Sequence, residues 1–197
     1  MRATVSEMSE ARDLHRMDYA EYLAFEQSSA TKHEWIDGVV YAMSGGSPEH
    51  SRLQARVIVA LTVALAGKPC APFTSDLRVF VSAANRSTYP DVTVICDKVQ
   101  PPENDPHAAT NPTVLVEVLS PNSEADDRGE KWALYQRIPS LQHYVLVSQH
   151  RPRVEVYSRT DLGWHYAEWL PGASFELAAV GASIAVDDIY AGALGAG

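Results

Sequence analysis

Cysteine is almost missing from this chain. Cys70 and Cys96 stand alone, outside any C-x-x-C pair and away from any histidine cluster. That argues against a zinc site or a disulfide framework, and Cys96, closing an apolar strand, reads as a small buried hydrophobe. Long hydrophobic runs are also missing. The longest, residues 57–67, is interrupted by Thr62 and is too short to cross a bilayer. The opening Met-Arg-Ala-Thr-Val-Ser-Glu lacks the apolar segment of a secretory signal, so cytoplasm is the expected compartment and no membrane partner is expected. Positive charge is scarce: 16 Lys+Arg against 25 Asp+Glu leave a net charge of −9. From Asp161 onward there are five acids and no lysine or arginine. This balance argues against tight, nonspecific nucleic-acid binding by the chain as a whole. A local basic segment remains in Arg128, Lys131, Arg137, Arg151, Arg153 and Arg159, although a plain solvated face is the better account of the last three.

What is present suits one hydrophobic core: 197 residues, 46% of them apolar, with no internal repeat or linker. We expect a flexible lead-in over 1–17, a single domain over 18–190 and a tail over 191–197. Asp18 with Glu21 has the spacing of a capping box and predicts a helix over 19–27. Asp37-Gly38 predicts a two-residue hairpin in which Ile36 faces Val39, Trp35 faces Val40 and Glu34 faces Tyr41. Ser47-Pro48 opens a helix with its apolar stripe at Leu53, Val57, Leu61 and Leu65, stopped by Gly67. Strands are expected over 76–82, 91–96 and 113–119, with a turn at 83–88 and a loop over 100–112. After a turn at 121–127 a helix runs to about Ile138. Strand 143–148 should lie parallel to 113–119, and 153–158 with 163–169 should form a hairpin. A short strand or edge piece is expected at 184–186.

The chemistry concentrates between Tyr89 and Lys131. Asp91 opens one strand and Glu117 lies inside the next, whose other residues are apolar on both faces. A buried, unpaired carboxylate is costly, so it requires a partner or a cation. Antiparallel neighbours would bring the two acids side by side, where Mg²⁺ or Mn²⁺ would turn their repulsion into binding. Lys131 on the following helix could then neutralise charge on a phosphoryl oxygen. The competing reading is a pair of strand-end acids in ordinary salt bridges, with Lys131 paired to Asp127 one helical turn away.

Pro90-Asp91, Glu117-Val-Leu and Arg128-Gly-Glu-Lys131 resemble the PD-(D/E)xK nuclease superfamily. The wider pattern is similar to its Uma2 branch, also called DUF820, of restriction-endonuclease-like proteins. It includes His33-Glu-Trp-Ile-Asp-Gly38, Ser47-Pro-Glu-His50, Ser75-Asp-Leu-Arg78 and Glu117-Val-Leu-Ser-Pro121. The resemblance covers roughly 18–190. It implies an α/β, restriction-endonuclease-like α/β/α sandwich with a mixed central sheet, to which the C-terminal hairpin is added. It also implies a Mg²⁺ (or Mn²⁺) site and hydrolysis of DNA phosphodiesters. Asp91 and Glu117 match its metal-binding acids. Leu119 stands where the simple motif has lysine, and Lys131 matches the position to which that role moves in this branch. Glu34 is a further candidate carboxylate, and Asp76 an outer metal ligand. His50, Arg78 and Arg128 are candidates for holding phosphate. Each of these also has a structural reading, as a rim acid, a loop cap, a helix-start histidine or a surface arginine. The alternative for the whole chain is a non-catalytic, dimeric metal-binding or regulatory protein that keeps the fold. A homodimer is expected because two-fold pairing is common and the hairpin at 153–169 has an apolar face.

Overall fold

The computed structural model describes residues 16–43 and 45–194. The expected lead-in therefore falls almost wholly outside the described residues, as does the end of the expected tail. Ala193, within that tail, is fully buried against the core.

Helix α1 (Tyr19–Ser28) begins at the capping box, the Asp18 side chain accepting from the Glu21 N–H while Glu21 accepts from the Asp18 N–H. Strands β1 (His33–Ile36) and β2 (Val39–Ala42) form the hairpin in the expected register, Glu34 opposite Tyr41. Its tight turn requires positive φ at both Asp37 and Gly38, which those residue types supply. Helix α2 (Pro48–Ala64) is capped by Ser47 and buries Leu53, Val57 and Leu61, one residue per turn along one face. Each such side chain contributes about 1.5–3 kcal/mol when fully removed from water.

Then come β3 (Cys70–Thr74), β4 (Arg78–Val81), β5 (Arg86–Thr88), β6 (Val92–Cys96), the two-residue β7 (Ala108–Ala109) and β8 (Val114–Leu119). Helices α3 (Glu124–Arg128) and α4 (Glu130–Tyr135) follow, broken at Gly129. Strand β9 (His143–Ser148), the hairpin β10 (Val154–Thr160) and β11 (Gly163–Trp169), the pair β12 (Ser174–Leu177) and β13 (Ala182–Ala185), and α5 (Val186–Tyr190) complete the chain.

Two larger sheets result. The six-stranded one runs β11-β10-β9-β8-β6-β3 and is mixed, β8 and β9 parallel and the other pairs antiparallel. The five-stranded one runs β2-β1-β5-β4-β7. Alternation along β8 sends Val114, Val116 and Val118 toward α2 and α5, in the larger core, and Leu115 and Leu119 toward Tyr135 of α4, in the second. The six-stranded sheet is therefore covered by helices on both faces, as an α/β/α sandwich requires.

Four expectations are corrected. The predicted turn at 83–88 contains β5, an Arg-Ser-Thr strand that is wholly buried despite its polarity. The strand expected from 76 begins at Arg78 and belongs to the five-stranded sheet, while β3 takes the place beside β6. The helix expected from 128 to 138 begins four residues earlier and is interrupted at Gly129, where an added Cβ would stand 2.9 Å from the Ala125 carbonyl oxygen. Cys96 is not a free buried thiol. It faces Cys70 across the β3–β6 pair and the two are joined as a disulfide.

Candidate active site

The β6–β8 register pairs Val92 with Val116, so one step further Asp91 stands opposite Glu117. Cross-strand partners share a face of the sheet, and this face is the one α4 covers. Both acids open onto a cleft of about 320 Å³ shared with Glu34, His50, Asp126 and Lys131. Asp91 just before β6, Glu117 within β8 and Glu34 within β1 supply the first three acids, the N-terminus of α2 supplies His50, and α3 and α4 supply Asp126 and Lys131.

Glu117 is 3% exposed. One oxygen accepts from Lys131 Nζ at 3.3 Å and from the Tyr135 hydroxyl at 3.0 Å, and the other accepts from the Asp91 N–H at 3.3 Å. Asp91 Oδ2 accepts from the Val118 N–H at 2.7 Å and lies 3.2 Å from His50 Nε2. The Asp91 carbonyl accepts from Gln54 of α2 at 2.8 Å. Lys131 therefore reaches Glu117, and it also lies 2.9 Å from Asp127 Oδ1, which gains no well-directed hydrogen bond from that approach. One ammonium thus sits between two buried carboxylates, and the pairing with Asp127 one helical turn away is present.

Glu34 is buried between its cross-strand neighbours. Thr88 donates to one of its oxygens, and Arg86 Nη2 donates to the other at 2.9 Å. Arg86 is 1% exposed, within 3.6 Å of Asp126 and 3.9 Å of Glu130, and its Nε and Nη1 have no hydrogen-bond partner among the described residues. Sequence reading missed Arg86, Thr88 and Tyr135. The available signal was the alternation Arg86-Ser-Thr88, which a three-residue polar strand makes too short to stand out.

Electrostatically the cleft has too many anions. Burial holds Glu117 well above the usual carboxylate range; Lys131 pulls it back, while Asp127, Asp91 and Glu34 push it further up. Burial disfavours the Lys131 ammonium, but Glu117, Tyr135, Glu34 and Asp127 outweigh it and hold the group well above the usual lysine range. Burial also opposes the charge on Glu34, yet Lys131, Arg86 and Thr88 keep its carboxyl below the ordinary value. The hydrogen bond to Asp91 raises His50, partly offset by burial.

Three of the sequence candidates do not come to the cleft. Asp76 is exposed, bound to Lys32 at 2.5 Å, and stands away from Asp91 and Glu117. Arg78 is committed to Asp105 at 2.6 Å and to the Tyr89 hydroxyl at 3.1 Å. Arg128 is clamped by Glu155 at 2.5 and 2.7 Å and by Glu124 at 2.8 Å. Each is held by a closer opposite charge, which the sequence alone does not reveal. Among the described residues no group of three or more His, Cys, Asp or Glu side chains is arranged to hold a metal ion.

An α/β/α sandwich with a cleft of carboxylates is thus in place. Residues 19–186 match the Uma2 family, described as "Putative restriction endonuclease", and the chain belongs to that family. Two relatives from Synechocystis sp. (strain ATCC 27184 / PCC 6803 / Kazusa) are both described as uncharacterized proteins. Protein slr1290 is 39% identical over 173 residues, covering 87% of this chain and 90% of the relative. Protein sll1609 is 34% identical over 159 residues, covering 80% and 89%. The fold is similar to the crystal structure of "a putative nuclease belonging to DUF820" from Anabaena variabilis ATCC 29413. That likeness has a TM-score of 0.73 at 17% identity over 90% of this chain and 99% of the other, and shows the fold. No described helix is long and apolar enough to cross a membrane.

Proposed function

We propose that the chain is a Mg²⁺- or Mn²⁺-dependent nuclease that hydrolyses phosphodiester bonds of DNA in the Asp91–Glu117 cleft. The observation that carries this reading is the cross-strand pairing of those two acids beside one buried lysine. The donor set is sparse for a cation caged wholly by protein, but it suits Mg²⁺, which keeps several waters and uses one or two carboxylates together with substrate phosphates. Bound by Asp91 and Glu117, such an ion supplies charge neutralisation and a more acidic water.

The chain's own residues do the rest. The Val118 N–H and His50 fix the Asp91 carboxylate in one orientation. Tyr135 and Lys131 fix Glu117, and Lys131 keeps a positive charge beside the place where a phosphoryl oxygen gains negative charge. Glu34, held ionised by Arg86 and Thr88, would accept a proton from a water in the cleft. The test is cleavage of plasmid and oligonucleotide DNA with Mg²⁺ or Mn²⁺ by the wild type, Asp91→Asn, Glu117→Gln and the double variant. Loss of cleavage in each variant is expected, and cleavage persisting in the double variant refutes the assignment. The net charge of −9 and Leu119, where the simple motif has lysine, favour a second reading, a non-catalytic metal-binding or regulatory protein that keeps the fold. Calorimetric Mn²⁺ titration showing binding, with no cleavage of any nucleic acid, would select it.

A further inference from the structure

The charge around the cleft limits what can lie across it. Duplex recognition draws on a row of lysines and arginines that neutralise phosphates, over an interface of about 1,000–2,500 Å². Most of this chain's cations are already engaged. Arg78 is held by Asp105, and Arg128 and Arg153 by Glu155. Arg159 donates to the Leu141, Gln136 and Ile138 carbonyls and stacks on Trp164. Arg56 and Lys68 donate to backbone carbonyls, and Lys32 is paired with Asp76. Among the described residues, only Arg16, Lys98, Arg137 and Arg151 have side chains with no ion pair or hydrogen bond to another described residue, and none of these four lines the cleft. The cleft's acids, Glu34, Asp91, Glu117 and Asp126, line it with one lysine, Lys131, while Arg86 is buried behind Glu34 and Asp126 and His50 is tied to Asp91.

The cleft has a different kind of surface on its hairpin side. Tyr41 stands directly across from Glu34, on the same face of the β1–β2 hairpin, and is half-buried at the rim with Met43 beside it. No hydrogen bond within the described residues holds its ring in another role. At about 320 Å³ the space is at the small end of the range for sites that enclose one small ligand, about 300–1,000 Å³. A tyrosine face at the edge of a polar cleft is the kind of platform on which an unpaired base stacks, with little dependence on sequence.

We infer that the cleft takes one nucleotide of an unpaired strand, its base on Tyr41 and its phosphodiester at Asp91 and Glu117, and does not grip a duplex. This rests on the reading of the cleft as a phosphodiester site and names its substrate class. Only one or two phosphates are then neutralised by the protein.

The test has a binding arm and a chemical arm. Fluorescence polarisation with Mn²⁺ follows a short labelled phosphorothioate single strand and its duplex, over a series of salt concentrations, for wild type, Tyr41→Ala and Tyr41→Phe. The single strand should bind more tightly than the duplex, with log K falling against log salt at a slope of about −0.7 to −1.4. Tyr41→Ala should weaken binding about tenfold and Tyr41→Phe should leave it unchanged. A duplex preference, a slope of about −5 or steeper, equal binding by Tyr41→Ala, or no binding of either strand overturns the inference. Turnover of bis(p-nitrophenyl) phosphate, which has no base to stack, reports the chemistry separately. If that diester and every strand are inert, the hydrolase reading fails, and the binding arm still decides the substrate class.

Discussion

Replacing Lys131 with methionine removes the only cation among the described residues within hydrogen-bonding distance of Glu117 and keeps most of the side chain's packing volume. The ammonium lies 3.3 Å from Glu117 and 2.9 Å from Asp127. At an effective dielectric of about 20 these separations correspond to attractions of about 5 and 6 kcal/mol. Desolvating the lysine offsets much of that gain, and the variant is relieved of this cost. Removing one partner of a buried pair typically costs about 3–5 kcal/mol, and we expect a loss in that range at pH 8. The pH dependence comes from Glu117. Its carboxyl is raised in the fold, so folding binds a proton there and stability falls as pH rises above the unfolded value of about 4.3, by at most about 1.4 kcal/mol per pH unit. Lys131 is raised above the ordinary lysine range, so its stabilisation is fully present through pH 8 and is lost only at higher pH. Without it the Glu117 carboxyl rises further and the penalty persists over a wider range of pH. The Lys131→Met deficit in urea melts should therefore be larger at pH 8 than at pH 5. Adding Glu117→Gln should recover part of it. A deficit under about 1 kcal/mol, or one that does not vary with pH, would show that Lys131 does not pair with Glu117.

Three other outcomes are expected. A Cβ added at Gly46 would stand 2.7 Å from His50 Nδ1, so Gly46→Ala should cost little stability but move the imidazole off Asp91, read as a shift of the His50 ring signals in ¹H–¹⁵N spectra. The Cys70–Cys96 disulfide spans 26 residues, and loop-closure entropy predicts that reduction, or Cys70→Ser with Cys96→Ser, lowers the unfolding free energy by about 3.5 kcal/mol at most in denaturant melts. Burial pushes the His143 imidazole down to about 4, so the fold holds it neutral while the unfolded chain protonates near 6.5; stability should fall as pH drops from about 6.5 to 4, and His143→Gln should flatten that limb.

The parts of the fold that sequence reading anticipated are those written in local chemistry. Asp37-Gly38 dictates its own turn and with it the hairpin register, and Ser47-Pro48 dictates where α2 starts. The juxtaposition of Asp91 and Glu117 followed from two apolar strands being antiparallel neighbours, and the parallel β8–β9 pair from the intervening helical segment. What was hidden depends on partners distant in the chain. Arg86-Ser-Thr88 looks like a polar turn until β1 and β4 close on both sides of it. Arg78, Arg128 and Asp76 look available until Asp105, Glu155 and Lys32 claim them. The disulfide depended on a strand, β3, whose Cys-Ala-Pro-Phe-Thr sequence carries little alternation.

The seam between the two sheets also bears on how quickly the molecule can come apart. Asp91 and Glu117 meet as soon as β6 pairs with β8 in one sheet, whereas Glu34 arrives from the other sheet and crowds them with its charge only once the sheets have docked. If docking completes after the rate-limiting step, that crowding is absent from the transition state and acts mainly on the unfolding rate. An ion on Asp91 and Glu117 that also drew in Glu34 would then act as a kinetic clasp across the seam, lengthening the lifetime of the native state while leaving the speed of folding almost untouched.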